Sequence, residues 1–414
     1  MSSTTSHPGA TVTTPGELPS PWAYVLRAAA ALAAGMGVGR FGFTPILPLM
    51  HTRAGLTASA GADLATANYL GYLAGAVAGI LVPAVARSRA ALRGSLIVLT
   101  LTLAAMPAGH AVPVWVALRL LAGTASALVF VIAVGALLSN LRAYPPSLVG
   151  WGFGGVGAGI ALSGLLVLAL RQAGDWRAAW WGMAVLAALL SAGAWALHPQ
   201  PAVPAAGPPA TDRSTALPGT RRWFGTLLVS YTLEGVGYII AGTFLVAAIE
   251  QGSPGWTGSG AWVLVGLAAI PSSALWARWG RRRSRPDLLF VALVVQAVGI
   301  ALPALLGGAT AALVSAALFG ATFLGVGTIA LATGAQLQFP RSIALLTAGY
   351  SAGQILGPLV ATPLLHHGYH QALLLAAAVV LAAAAAAAVL RLGFPDRLPV
   401  PPRPAGVGAT SRST

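Results

Sequence analysis

Apolar residues run almost without interruption through twelve stretches, at 23–49, 60–84, 94–112, 114–139, 147–170, 177–197, 223–249, 258–277, 287–306, 309–333, 343–366 and 370–392. A helix rising 1.5 Å per residue needs about 20 apolar residues to cross about 30 Å of hydrocarbon. The runs are too continuous for the alternating strands of a membrane barrel. Helices satisfy their own backbone groups in lipid, so the pattern predicts an all-α membrane protein with twelve transmembrane helices. The one long polar interruption, 198–222, holds Pro199, Pro201, Pro204, Pro208, Pro209 and Pro218 and reads as a linker. The expected order is a disordered tail at 1–22, a six-helix bundle at 23–197, the linker at 198–222, a second six-helix bundle at 223–392 and a tail at 393–414. The first stretch is read as an uncleaved helix rather than a signal peptide, because eleven more spans follow.

Composition sharpens the class. Only 7% of the 414 residues are charged and 57% are hydrophobic, with mean hydropathy +0.80. A soluble domain carries about 25% charged residues, so this chain cannot cover a water-facing surface. With no cysteine, disulfides and thiolate metal sites are excluded. The net charge of +15 arises from 23 basic residues, all arginine. Seventeen of them, including Arg87, Arg89, Arg93 and the run at 278–285, fall in segments on the side of the two termini; Arg53, Arg171 and Arg177 fall on the other. That asymmetry predicts a bacterial-type inner-membrane protein, multi-pass, with both termini cytoplasmic. It also accounts for the charge without nucleic acid as a partner.

The two halves share positions at nearly constant offset. Gly37-Val38-Gly39 matches Gly235-Val236-Gly237, Gly123 matches Gly320, and Gly159 matches Gly353. Such matches predict two parallel repeats related by an axis along the membrane normal. Residues 35–50 (GMGVGRFGFTPILPLM), 64–75 (LATANYLGYLAG) and 234–245, opening Glu234-Gly235-Val236-Gly237-Tyr238, resemble the first, second and seventh helices of the YbfB/YjiJ-type branch of the major facilitator superfamily. The resemblance covers all twelve stretches and implies a twelve-helix transporter. Arg119, four residues before Gly123, resembles the superfamily's fourth-helix motif. Arg278-Trp279-Gly280-Arg281-Arg282 resembles its cytoplasmic-loop motif, with Ala277 in place of the expected Asp. That departure puts a charge-relay gate through Arg278 and Arg281 in doubt.

Few polar side chains lie at membrane depth, and they are the candidate chemistry. Arg40 sits about nine residues from the outer end of the first stretch, about 13 Å deep, where an unpaired arginine costs on the order of 3 kcal/mol. It is read as a contact for substrate or coupling ion, or as one member of an ion pair with Asp63 or Glu234. Asn68 lies at similar depth, and Asp63 stands near the start of its helix, where the dipole favours an anion. Glu234 is the one deep carboxylate, with Tyr238 a turn away. A carboxyl group that alternates between dry and wet surroundings binds and releases a proton, as a proton-coupled carrier requires. Gln354 and Gln296 either line a cavity or bond neighbouring helices. Gly353 and Pro358 are expected to serve packing and rocking. His366, His367 and His370 have no acidic neighbour and are not read as a metal site. The tryptophans near span ends, Trp22, Trp115, Trp176, Trp223 and Trp279, are expected to form an interface belt.

These readings converge on a monomeric secondary transporter for a small organic molecule, coupled to protons, using no cofactor and no catalytic residues. Efflux is the first expectation and uptake of an organic anion the second. A membrane sensor sharing the fold would want a soluble signalling module, and an enzyme would want clustered carboxylates or histidines; neither is present.

Overall fold

The computed structural model describes residues 20–142, 144–145, 147–170, 175–198, 220–392 and 394. Residues 1–19, 393 and 395–414 of the segments assigned to the tails, and 199–219 of the linker, lie outside the described residues, whereas 21–22 and 220–222 are helical. Among the described residues, twelve helices are long and apolar enough to span a membrane: α1 (Pro21–Arg53), α2 (Ala58–Leu81), α3 (Arg89–Ala108), α4 (Val112–Asn140), α5 (Ser147–Leu170), α6 (Trp176–Ala194), α7 (Thr220–Gly252), α8 (Thr257–Trp279), α9 (Arg285–Leu305), α10 (Ala309–Gln336), α11 (Ser342–His366) and α12 (Tyr369–Arg391). No strand occurs among the described residues. The protein is all-α, with two six-helix repeats. An even number of spans returns both ends of the bundle to one face, called here the terminal end; the opposite face is the far end.

Small residues set the packing. Between apolar helices in lipid there is little hydrophobic drive, so close backbone approach supplies the contact. A Cβ on Gly37 would stand 2.4 Å from the Gly159 Cα, and one on Gly353 would stand 2.4 Å from the Thr232 carbonyl and 3.2 Å from the Gly235 carbonyl carbon. The glycines paired by sequence offset are therefore paired in space: α1 meets α5 in the first half as α7 meets α11 in the second. A third seam joins the halves. Gly150, Gly154, Gly157 and Gly164 of α5 lie against Ala274, Ile270, Gly266 and Val263 of α8, and a Cβ on any of them would come within 2.8 Å of α8 backbone.

α1 is not one regular helix. Residues Pro21–Leu32 and Phe43–Arg53 are α-helical, but Ala33–Arg40 winds as a π-helix. Phe41 N–H donates to the Met36 carbonyl at 3.1 Å, and Pro45, lacking an N–H, leaves Thr44 N–H to bond the Phe41 carbonyl at 3.2 Å. The wider winding frees backbone carbonyls beside Arg40. Such stretches cluster at functional sites.

The two ends differ in closure. Every residue at 31–48 of α1 and 237–249 of α7 is buried, whereas their terminal-side parts expose Trp22, Leu26, Arg221, Arg222 and Val229. The far end is thus sealed. Two tryptophans of the expected belt stand at span ends but turn inward: Trp115 and Trp176 are buried and pack edge to face, ring centroids 5.6 Å apart. Trp180 and Trp262 are also fully enclosed. Large flat rings fill the gaps that small residues leave open between helices.

Candidate functional site

Three charge-bearing side chains are buried among the described residues: Arg40, Arg119 and Glu234. Each is met differently. Arg40 reaches across the halves from α1, and its Nη2 donates to the Gln354 Oε1 on α11. Its guanidinium lies 4.3 Å from the Tyr72 ring centroid, 4.9 Å from that of Tyr69 and 5.5 Å from that of Phe41. Ring faces are electron-rich and attract a desolvated cation. The Arg40 Nε is buried without a partner, and no carboxylate among the described residues forms an ion pair with this arginine.

The ion pair of Arg40 with Asp63, one of the alternatives read from the sequence, does not form. Asp63 is exposed, for a geometric reason. Five residues along a helix turn through about 500°, so Asp63 stands about 140° around α2 from Asn68. Asn68 faces inward, fully buried, and donates from Nδ2 to the Arg119 carbonyl at 2.9 Å. The asparagine is therefore held by α4, and a Cβ on Gly123 would meet its carbonyl oxygen at 2.0 Å.

Arg119 turns its fork on the loosened backbone of α1. Nη1 donates to the Gly39 carbonyl at 2.9 Å and Nη2 to the Arg40 carbonyl at 3.0 Å. Its guanidinium also sits 5.1 Å from the Phe43 ring centroid. It supplies donors that the π-helical winding withdraws, and so fixes where the Arg40 side chain starts.

Glu234 does not pair with Arg40 either. Its Oε1 accepts from Gln296 Nε2 of α9 at 3.1 Å, while Oε2 has no partner and the residue is fully buried. The carboxylate belongs to the second half, and Gln296 holds it there. Tyr238, one turn along α7, lies in a run of nearly parallel rings: 5.7 Å from Tyr350 at 16°, 5.7 Å from Phe323 at 8° and 6.3 Å from Phe319 at 20°. Tyr231 extends the run, 4.4 Å from Tyr350. Between Arg40 and Glu234 lies an aromatic wall rather than an ion pair.

Above this level, on the far side, the halves are joined by hydrogen bonds. Thr44 Oγ1 donates to the Gly242 carbonyl at 2.6 Å, and the Tyr69 and Thr243 hydroxyls share a bond at 2.8 Å. Arg278 and Arg281, by contrast, are exposed at the terminal end, and no side-chain hydrogen bond or ion pair joins them to another described residue. An exposed ion pair at the terminal end joins Arg391 Nε at the end of α12 to Asp287 Oδ1 at the start of α9, 2.5 Å apart, both about half exposed. Gly353 and Pro358 are buried, and Gly353 lies in the α7–α11 contact. No group of three His, Asp or Glu able to hold a metal ion occurs among the described residues.

The sequence matches the family described as the uncharacterised MFS-type transporter YbfB over residues 32–389. The chain belongs to that family. It is a multi-pass membrane protein with the major facilitator fold and a secondary transporter by family. Among solved structures, a point mutant of the nucleoside transporter NupG superposes with a TM-score of 0.68 at 14% identity, covering 89% of this chain and all of that one. At that identity the likeness is one of fold. No curated protein matches in sequence.

Of the candidates read from the sequence, the fold brings Arg40, Gln354 and Tyr238 together at the middle of the bundle, with Glu234 a turn from Tyr238. It turns Asn68 and Arg119 to support and leaves Asp63, Arg278 and Arg281 at the surface. Tyr69, Tyr72, Tyr231 and Tyr350 were not singled out. Four of the eight tyrosines in mid-span, away from the interface where tyrosine usually sits, were the available signal.

Proposed function

We propose that this protein is a proton-coupled transporter of a small organic anion in the inner (plasma) membrane, working by alternating access with both termini cytoplasmic. One observation carries the reading: Arg40 and Glu234 are both buried at mid-membrane, yet neither has an ion-pair partner among the described residues. An unpaired buried charge costs several kcal/mol, and a bound anion and a bound proton would each relieve one of these costs. Taken up together, an anion and a proton also carry no net charge. That supports uptake over efflux, the direction ranked first on sequence grounds. The arginine-rich terminal end is the cytoplasmic side by the positive-inside rule, so the sealed far end faces outward.

The test uses Glu234→Gln in proteoliposomes, with a transported ligand first found by thermal-shift screening, since native-state ligands raise apparent stability. Glu234→Gln is expected to abolish accumulation driven by a proton gradient while keeping counterflow exchange. Accumulation at the normal rate would sink the coupling role.

A further inference from the structure

The surroundings of Arg40 narrow the class of anion, given the transport reading above. Arg119 spends Nη1 and Nη2 on backbone carbonyls of α1, whereas Arg40 bonds a neutral side chain, so the Arg40 fork is the more readily exchanged of the two. One guanidinium fork matches one carboxylate. Its Nε is buried and unpartnered, and its acceptor, Gln354 Oε1, is neutral and can be exchanged for a charged oxygen.

Around that fork the walls are aromatic on both halves. In the first half, Tyr72 covers the guanidinium, Phe130 of α4 packs 6.3 Å from Tyr72, and Phe153 of α5 packs 6.2 Å from Phe130. In the second half, Tyr350 stands one helical turn before Gln354 on α11, so the two share a face. Its ring stacks on Tyr231 at 14° and Tyr238 at 16°. Tyr72, Phe130, Phe153 and Tyr350 are each only partly buried, so they keep ring surface free. The two walls belong to different halves, so a rocking motion would part them around a flat molecule.

We propose that the site takes a planar aromatic monocarboxylate, its carboxylate on Arg40 and its ring between Tyr72 and Tyr350. Saturated acids of the same size would fill the space but forgo ring–ring contact, and amines would meet the guanidinium's charge.

The test is binding to the purified full chain in nanodiscs by titration calorimetry. The probes are benzoate and 1-naphthoate, each beside its saturated-ring carboxylate, its amide and its methylamine. The aromatic acids are expected to bind about ten-fold more tightly than the saturated ones, the scale of one to two ring contacts, with no binding by the amines. Tyr72→Leu is expected to erase the aromatic preference yet keep carboxylate binding, and Arg40→Gln to remove the carboxylate preference. Thermal melting of each variant checks folding. Equal binding of saturated and aromatic acids, an unchanged preference in Tyr72→Leu, or no binding by any carboxylate would overturn the proposal. Aromatic acids that bind but are never exchanged across proteoliposomes would sink the transport reading and leave the ligand assignment standing.

Discussion

Thr44 and Gly242 are equivalent positions of the two repeats, and they touch: the threonine Oγ1 donates to the glycine carbonyl at 2.6 Å. Their separation of 198 residues is the same as that between Gly37 and Gly235. A contact between equivalent positions lies on the pseudo-two-fold axis, so this bond sits where the two halves hinge at the far end. Thr44→Val is expected to weaken that seal without disturbing either bundle. The chain has no cysteine, so a single cysteine placed at Val246 reports access from the far side. Labelling by an impermeant maleimide should rise several-fold in Thr44→Val; equal labelling would show that the bond does not hold the closure.

The paired glycines make a sharper stability prediction. A Cβ on Gly159 would lie 2.4 Å from the Ala33 carbonyl and 2.8 Å from the Gly37 Cα, and backbone cannot step aside. Gly159→Ala and Gly353→Ala should each lose about 1–3 kcal/mol to overpacking. Gly94 and Gly225 have nothing within 4 Å of an added Cβ, so alanine there should be neutral or gain up to about 1 kcal/mol of helix propensity. Thermal midpoints in one detergent rank the four; a normal midpoint for Gly159→Ala would refute the close approach of α1 and α5.

Arg119 is expected to matter for the shape of α1 rather than for the ligand. Arg119→Met strands two buried carbonyls, at about 1–3 kcal/mol for each unsatisfied group, partly offset because a buried charge is removed as well. Arg119→Lys keeps the charge but lacks the fork, and should recover only part of the loss. Ligand affinity per folded molecule should fall in both through misplacement of Arg40. Wild-type affinity in Arg119→Met would show that the carbonyl bonds do not position it.

The Asp287–Arg391 pair is the contrasting case. Both side chains are about half exposed, 47% and 44%, and exposed pairs contribute about 0–1 kcal/mol. Asp287→Asn should shift the midpoint by no more than a degree or so and leave transport unchanged. A large loss would mean that the pair gates the terminal end.

The spans were legible because hydropathy alone decides what lies in hydrocarbon, and the glycine pairs because a backbone contact leaves the same residue type in both halves. What escaped depends on rotation about helix axes. Asp63 and Asn68 lie close in sequence yet face opposite ways, so the ion pair with Arg40 that the sequence left open does not form. Gln354, 314 residues from Arg40, becomes its partner only once the halves dock. The π-helical run at 33–40 carries no compositional mark, since a wider turn of Ala and Gly has the composition of a narrow one. Its consequence, the two freed carbonyls on Arg119, could not be foreseen without the winding.

The buried charges also have an electrical meaning. Arg40, Arg119 and Glu234 do not balance: with all three ionised, the core holds one more positive than negative charge. A charge crossing the whole membrane field gains or loses about 2.3 kcal/mol per 100 mV, and Arg40 sits on a helix that must tilt if the far end is to open. An anion and a proton taken up together, as proposed, add no net charge, so the loaded and the empty core hold the same single excess positive charge. Membrane voltage therefore acts on the loaded and the empty steps equally and in opposite senses, so potential should alter the rates of the two steps while leaving the equilibrium accumulation unchanged.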